Sequence, residues 1–157
     1  MGLIASFTVI KETDVPFLGV WSKLRRGFFR PKYRFYELLK EHTLREAVFE
    51  AADGYYVALV FGWLDLNRDE FERDMAPFIH TVRRHMGGSY WLITSSNLAA
   101  TSFLKEPMPE SQWPEFLRMN GETEGELRLE LFEEARQFAV QQISELRPGE
   151  ALFVSVE

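Results

Sequence analysis

Three short apolar runs, rich in β-branched or aromatic side chains, most constrain how this 157-residue chain can fold. They are LIASFTVI at residues 3–10, SYWLITSS at 89–96 and ALFVSV at 151–156. Each has the length and composition of a buried β-strand. Helical apolar spacing occupies much of the sequence between them. This order predicts one α+β (mixed α/β) domain over residues 1–157, with a small mixed or antiparallel sheet of about five strands packed against several helices.

The segment REAVFEAADGYYVALVFGWLDL, residues 45–66, predicts a β-hairpin. Two β-rich runs flank Asp53-Gly54, a dipeptide suited to the positive-φ turn that hairpins require. A helix is the alternative for residues 44–51, because Thr43 and Glu46 could form a capping box.

Helices are predicted elsewhere from apolar spacing and stop signals. One follows Asp14, a short one covers residues 32–42, another runs from 111 to 120, and a long one carries Phe132, Ala135, Ala139, Ile143 and Leu146 on one face. In the second of these, Phe35, Leu38 and Leu39 are expected to face inward.

The stretch GWLDLNRDEFERD, residues 62–74, resembles the start of a calcium loop, since Asp65, Asn67 and Asp69 alternate. An EF-hand loop needs Gly at its sixth position and Glu at its twelfth, where this chain has Glu70 and Ala76. Asn67 instead suits the N-cap of a helix. We therefore expect no metal site, and no motif indicates a cofactor.

Several chemistries are excluded by composition. The chain contains no cysteine, which excludes disulfides, zinc–thiolate sites and thiol nucleophiles. Nucleotide-binding glycine motifs and the serine elbow are absent. His80 and His85 are five residues apart, so a regular helix would point them away from one another. The longest apolar stretch is about ten residues, half a membrane span, and the start resembles no signal peptide; we expect a cytoplasmic protein with no membrane association.

The net charge of −6 is unevenly distributed. Residues 1–52 carry nine Lys/Arg against six Asp/Glu, whereas residues 106–157 carry four against twelve. An acidic final third repels phosphates, so nucleic acid is an unfavourable partner for the molecule as a whole.

The strongest functional feature is KLRRGFFRPKYRF, residues 23–35, which holds six cations and four aromatic residues but no acid. Such a surface could dock an acidic partner protein or stack on single-stranded nucleic acid. Alternatively, its aromatics enter the core and its cations pair with the acidic final third. The residues predicted to bind a partner are Arg25, Arg26, Phe29, Arg30, Lys32, Tyr33 and Arg34.

A second candidate site is the polar run Thr94, Ser95, Ser96 and Asn97. In open α/β sheets, ligands bind beyond the carboxyl ends of strands, and these residues follow a predicted strand. A helix N-terminus there could hold an anion. The alternative is that Ser96 or Asn97 only caps the helix.

The two chain ends are similar to those of the YfbM-like family of bacterial proteins. The opening MGLIASFTVI, with Phe7 and Ile10 in register, and the ending GEALFVSV after a long helix carry this resemblance. The resemblance implies a small cytosolic α/β domain and supplies no catalytic residues.

Without a convergent catalytic set, the leading hypothesis is a non-enzymatic protein-binding or regulatory domain, such as an immunity or regulatory factor, acting through the basic-aromatic segment. The alternatives are a small-molecule binder or enzyme with a pocket at the end of strand 89–96, and a single-stranded nucleic-acid binder.

Overall fold

The structure is a computed structural model that describes residues 2–16, 31–68, 88–123 and 125–157, and for residues 31–35 it describes the backbone alone. Within these ranges four strands form one sheet: β1 (Ala5–Lys11), β2 (Arg45–Phe49), β3 (Ser89–Ile93) and β4 (Glu150–Val156). The α-helices are α1 (Pro31–His42), α2 (Tyr55–Asn67), α3 (Trp113–Met119) and α4 (Leu129–Ser144). Short 3₁₀ helices cover Glu12–Asp14, Leu98–Lys105 and Glu110–Gln112.

The sheet is antiparallel throughout, in the order β2-β1-β4-β3. Its central pair joins β1 to β4, with Ala5 opposite Val156 and Lys11 opposite Glu150. The mixed α/β architecture is confirmed, and of the two sheet types predicted the structure has the antiparallel one. The described residues contain four strands rather than about five.

One face of the sheet is covered by α2 and α4. Phe7, Val9 and Val154 alternate toward it and are almost fully buried. The ring of Phe7 lies 6.1 Å from that of Phe61 in α2 and 5.2 Å from that of Phe138 in α4. Close aromatic packing of this kind makes this face the main hydrophobic core.

The opposite face is apolar only in part. Ile10, Leu92 and Phe153 form a second buried cluster there with Leu39 of α1. Because side chains alternate along a strand, the same face also carries Ser6 and Thr8 from β1 and Ser155 from β4. We call these three residues the hydroxyl row.

The predicted hairpin over residues 45–66 is wrong in its second arm. Its first arm is strand β2, as favoured over a helix, but residues 55–67 form α2. Gly54 has φ −59°, so it adopts no positive-φ turn. The Asp53 Oδ1 atom accepts hydrogen bonds from the backbone N–H groups of Tyr55 (2.8 Å) and Leu3 (3.1 Å). The dipeptide therefore starts a helix and ties it to the strand leading into β1.

Glycine at position 54 is required by close approach. A Cβ atom there would lie 2.6 Å from the backbone N of Ala5 and 2.7 Å from the carbonyl oxygen of Leu3. Its own N–H donates to that Leu3 oxygen at 2.8 Å. The start of α2 is thus held directly against the chain entering β1. Glycine is required at position 54 by this tertiary contact, which the local sequence does not reveal.

The other predicted elements have mixed outcomes. The strands at 3–10, 89–96 and 151–156 and the helices at 32–42, 111–120 and the long helix near the end are confirmed, with small shifts of their boundaries. Leu39 is buried, as predicted. Asn67 is not an N-cap, because it is the last residue of α2 and its Nδ2 donates to the Trp63 carbonyl at 2.8 Å. The helix predicted after Asn67 and most of the helix predicted after Asp14 lie outside the described residues. No helix in the described part of the chain is long and apolar enough to cross a membrane.

Candidate functional site

A cleft of about 500 Å³ opens between α1 and the partly polar face of the sheet. Its floor is the hydroxyl row of Ser6, Thr8 and Ser155. Cross-strand register explains the arrangement: Ser6 lies opposite Ser155 across β1 and β4, and Thr8 lies opposite Glu46 across β1 and β2. Residues directly opposite on antiparallel strands are within reach of each other. The strand pairing therefore gathers hydroxyl and carboxylate oxygens on one floor. We call this space the α1 cleft.

Helix α1 supplies the wall of the α1 cleft. Tyr36, Leu39 and Lys40 line it, with Thr43 just beyond the end of the helix and Ile4 at its edge. Leu39 is buried, whereas Ile4 is 63% exposed. Small-molecule pockets typically measure about 300–1,000 Å³ and combine apolar walls with a few placed polar groups. The α1 cleft has that size and that mixture.

The carboxylate of Glu157 is held at one end of the cleft by two phenols. Tyr36 donates its hydroxyl to Glu157 Oε1 at 2.9 Å, and the Tyr90 hydroxyl donates to the same oxygen. The backbone also fixes Glu157, because its N–H donates to the Ile4 carbonyl at 3.0 Å. Gly88 closes in from the side: a Cβ there would lie 2.7 Å from Glu157 Cγ. This carboxylate is consequently oriented before any ligand arrives.

The titration of Tyr36 reflects the cleft's surroundings. Burial raises the pKa of Tyr36 above its ordinary value of 10.0, and the hydrogen bond to Glu157 raises it further. The negative charge of Glu46 raises this pKa as well. Tyr36 therefore remains a neutral donor throughout the physiological range, and carboxylates act on it from two directions.

The hydroxyl of Thr8 is the most informative group on the floor. Thr8 is only 5% exposed and lines the cleft. The described residues make no hydrogen bond to its hydroxyl, which is not among their fully buried atoms without a partner and is therefore open to solvent in the cleft. Thr8 thus presents an unused donor and acceptor to the space above it.

Chemically, the cleft offers binding groups. Its serine and threonine hydroxyls, its two carboxylates and Lys40 can make hydrogen bonds and ion pairs with a small molecule. Among the described residues lining it there is no histidine, and the carboxylate of Glu157 accepts hydrogen bonds from phenols. The arrangement is suited to recognition.

The predicted ligand residues Thr94–Asn97 form a turn after β3, held by hydrogen bonds within it and to Glu12. Asn97 is buried, its Oδ1 accepting from the Thr94 N–H at 2.8 Å and its Nδ2 donating to the Leu92 carbonyl at 2.8 Å. The Ser95 N–H and hydroxyl both donate to Glu12 Oε1. The Ser96 hydroxyl pairs with that of Thr94 at 2.7 Å. Asn97 makes no side-chain cap to the 3₁₀ helix that follows, and these four residues do not line the α1 cleft.

Most of the predicted partner-binding residues lie outside the residues that the structure describes. Arg25, Arg26, Phe29 and Arg30 are not among the described residues. Lys32, Tyr33 and Arg34 lie in the first turn of α1, for which only the backbone is described. The segment therefore leads into the helix that lines the cleft.

The acidic final third makes ion pairs within the described chain. Glu150 pairs with Arg45 of β2, which carries one acid of this third onto the amino-terminal part of the sheet. Glu130 and Glu133 pair with the nearby Arg128 and Arg136. Pairing between the ends of the chain thus occurs, and whether residues 23–30 take part in it lies outside the described residues.

Sequence reasoning missed two groupings that the fold creates. His42 Nδ1 lies 3.1 Å from Asp14 Oδ2, although the two are 28 positions apart and no spacing connects them. Tyr36 and Glu157 are 121 positions apart. One signal was present: Ser6 and Thr8 alternate with Ala5, Phe7 and Val9 in a strand whose other positions are apolar. His80 and His85 lie outside the described residues. Within the described ranges, no group of three or more His, Cys, Asp or Glu side chains could hold a metal ion.

Comparison with known proteins gives no match: no family model, no curated protein and no solved structure is similar to this chain. The resemblance of the chain ends to the YfbM-like family stays a prediction. The site must be interpreted from its own chemistry.

Proposed function

We propose that this protein binds a small organic ligand in the α1 cleft, without carrying out a reaction on it. The observation that carries the proposal is the Thr8 hydroxyl, which lies on the floor of a cleft of about 500 Å³, open to solvent and without a hydrogen bond to the described residues. A ligand in the cleft could hydrogen-bond this hydroxyl in place of solvent.

The contrast between the two sheet faces supports this proposal. On the face covered by α2 and α4, inward positions of β1 carry Phe7 and Val9. On the cleft face, the neighbouring positions carry Ser6 and Thr8. Apolar side chains there would fill the space beneath α1 and stabilise the sheet. Polar positions facing a cleft are typical of a binding site.

The test is a fragment screen followed by ¹H–¹⁵N NMR, comparing the wild type with Ser6→Leu, which fills the floor. We expect fragments that shift the amide signals of Ser6, Thr8 and Ser155 in the wild type and fail to do so in the variant. Ser102→Leu is the matched control, because Ser102 is exposed and does not line the cleft. Shifts that persist in Ser6→Leu, or a screen with no response at the cleft, would contradict the proposal.

A second candidate function, recognition of a partner protein, is favoured by the segment 23–35, where six cations occur without an acid. An acidic protein surface would complement it, and arginine with aromatic residues is enriched at interface hot spots. Like the first, this function requires no catalysis, and both can belong to one regulatory protein.

The test of this second function is a pull-down with mass spectrometry that compares the wild type with the triple variant Arg25→Gln/Arg26→Gln/Arg30→Gln. A partner that is lost in this variant supports the assignment. The control Lys105→Gln/Arg118→Gln/Arg147→Gln removes the same charge from exposed positions elsewhere. Normal binding by the first variant would show that the segment is not the interface, and recovery of nucleic acid in place of protein would favour the third hypothesis.

A further inference from the structure

We propose that strand β2 is an interface between two copies of this chain, which pair antiparallel through it into one continuous sheet. This inference goes beyond the proposed function and does not depend on a ligand in the α1 cleft. It rests on the place of β2 in the sheet, on the exposure of its side chains and on the order of its charges.

Strand β2 lies at one edge of the described sheet, where β1 is its neighbour. The outer side of an edge strand presents backbone N–H and C=O groups with which another strand can pair, and many proteins block such an edge with proline or a bulge. Residues 44–50, LREAVFE, contain neither proline nor glycine. The backbone of β2 is therefore suited to accept a further strand.

The side chains along this edge are open to water. Val48 is 39% exposed, and Glu46 is exposed beside it on the same face. Leu44, just before the strand, is 47% exposed, and Ile4, in the chain entering β1, is 63% exposed. A strand added to β2 would cover part of this apolar surface, which is favourable in proportion to the area buried.

The charges of β2 fit a second copy of the same strand. Full pairing of the five-residue strand places Ala47 opposite its own counterpart, on a twofold axis. Glu46 then lies opposite Val48 of the second copy, and Arg45 lies opposite Phe49 of the second copy. No two residues that face each other directly carry charges of the same sign.

The two neighbouring registers bring like charges together. Centring the pair on Glu46 would set this glutamate opposite its own counterpart, and centring it on Val48 would set Glu46 opposite Glu50. Like charges directly opposite each other destabilise an antiparallel pair. The sequence of β2 thus permits full pairing with itself and disfavours a slip to either side.

An attractive contact is available on the face turned to α4. A groove of about 580 Å³ between the end of β2 and α4 is lined in part by Phe49 and by the exposed Glu134. Arg45 of the second copy, opposite Phe49, would extend over this groove toward Glu134. Arg45 is 35% exposed, and its three hydrogen bonds to Glu150 and Glu145 use three of the five N–H groups of a guanidinium. This complementarity favours a second copy as the occupant.

The pairing would also bring the second copy to the margin of the α1 cleft. A twofold axis through the sheet keeps both clefts on the same face of the joined sheet. Glu46 lines the cleft and lies opposite Val48 of the second copy. Each copy therefore places one apolar side chain beside the site of the other.

The experiment measures self-association of the full chain by sedimentation equilibrium over about 10 μM to 1 mM, and it follows the amide signals of Ala47 and Val48 by NMR over the same range. We expect a dimer in the wild type. Val48→Glu places a carboxylate opposite Glu46 of the second copy and should raise the dimer Kd about tenfold or more. Val48→Lys removes the same apolar side chain but places an ammonium there, and it should leave the Kd unchanged or lower.

A double variant and a control complete the test. Val48→Glu/Glu46→Lys sets opposite charges against each other again and should recover the association that Val48→Glu loses. Met119→Glu makes the same kind of change at a 60% exposed position on α3 and should leave the Kd unchanged. Urea unfolding of each variant confirms that it is folded.

Three outcomes would overturn the inference: a wild type that stays monomeric over the whole range, equal loss of association in Val48→Glu and Val48→Lys, or no recovery in the double variant. The first would show that the edge of β2 is not an interface between copies. The other two would show that the dimer does not use this register. None of them bears on ligand binding in the α1 cleft, which the fragment screen decides separately.

Discussion

Arg45 and Glu150 form a bidentate ion pair. Their strands, β2 and β4, lie on either side of β1 in the sheet, so the pair reaches across β1. The two guanidinium nitrogens lie 2.6 and 2.8 Å from the two carboxylate oxygens. Arg45 also donates to the Glu145 carbonyl at 2.9 Å, and Glu150 accepts from the Arg147 N–H at 2.8 Å. Paired hydrogen bonds of this geometry are among the strongest a protein makes.

This pair makes stability depend on pH in the acidic range. The hydrogen bonds from Arg45 lower the pKa of Glu150 from 4.5 to about 2. Because the folded-state pKa is depressed, the contribution to stability is fully present above pH 4.5 and is lost as the pH falls toward 2. Arg45→Gln should reduce the free energy of unfolding by about 1 kcal/mol at neutral pH, since the 35% exposed Arg45 is partly screened by solvent.

Urea denaturation between pH 7 and pH 2.5 measures this difference, which should shrink below pH 4.5. The control is Arg118→Gln, whose pair with Glu115 is exposed on both sides and should change stability little. A difference between wild type and Arg45→Gln that is constant over the whole pH range would contradict the assigned role of Glu150.

Gly54, which immediately precedes α2, and Gly62, which lies inside it, should respond to alanine in opposite directions. Gly54→Ala would place a methyl group against the backbone of Ala5 and Leu3, so we expect a loss of about 2–3 kcal/mol in the free energy of unfolding. A Cβ at Gly62, inside α2, meets nothing within 4 Å. Gly62→Ala should therefore stabilise by about 0.5–1 kcal/mol through helix propensity. Thermal and urea unfolding measure the free energy of unfolding of both variants. Equal changes in the two variants would contradict the close approach of α2 to the chain entering β1.

Replacing Thr8 by valine should separate stability from binding. The variant has nearly the same shape but lacks the hydroxyl that makes no hydrogen bond within the described chain. We expect unfolding free energy to rise by up to about 1 kcal/mol and binding of any cleft ligand to weaken. Thr43→Val is the comparison, because the Thr43 hydroxyl donates to the Leu39 carbonyl at 2.8 Å and its loss should destabilise. Clear destabilisation by Thr8→Val would mean that the hydroxyl has a partner in the fold.

The alkaline titration of Tyr36 tests the geometry at Glu157. Its pKa is raised by burial first and by Glu157 second, so it should still be protonated at pH 11. In Glu157→Gln the pKa should fall without returning to 10.0, since the burial remains. Above pH 10 the unfolded chain releases this proton and the folded chain keeps it, so the contribution of Tyr36 to stability decreases as the pH rises.

The ¹³Cζ signals of the tyrosines follow these titrations individually. Tyr55 provides an internal control: burial and then Glu122 raise its pKa to about 12, and Glu157→Gln should leave it unchanged. A Tyr36 that titrates near 10 in the wild type would place the phenol in solvent and remove the wall of the cleft.

The strands were predictable where composition alone specifies them. The runs that became β1, β3 and β4 are short, β-branched and bounded by polar residues, and both local propensity and burial favour the same state. Helix α2 was not predictable in this way. Its residues 55–64 are almost uniformly apolar, so neither a period of 2 nor one of 3.6 stands out. Its helical state follows from burial between the sheet and α4.

The α1 cleft was beyond local patterns for a related reason. The alternation of Ser6 and Thr8 was visible in the sequence, but the groups that complete the site come from α1, β2 and the residue after β4. Only the register of three strands brings them together. The run Thr94–Asn97 was noticed because four polar residues are adjacent in sequence, and its hydrogen bonds are largely explained by the turn itself.

The pairing of β1 with β4 also sets the order of events during synthesis. Residues 5–11 leave the ribosome before their central partner, residues 150–156, which follows only after more than a hundred further residues have been made. Until then, Phe7 and Val9 have no strand on one side and cannot complete the core. Such long-range pairing slows folding and exposes apolar strands in the meantime. The nascent chain is therefore most vulnerable to aggregation just before β4 emerges, and changes in β4 should affect the yield of folded protein more than equally buried changes in α2.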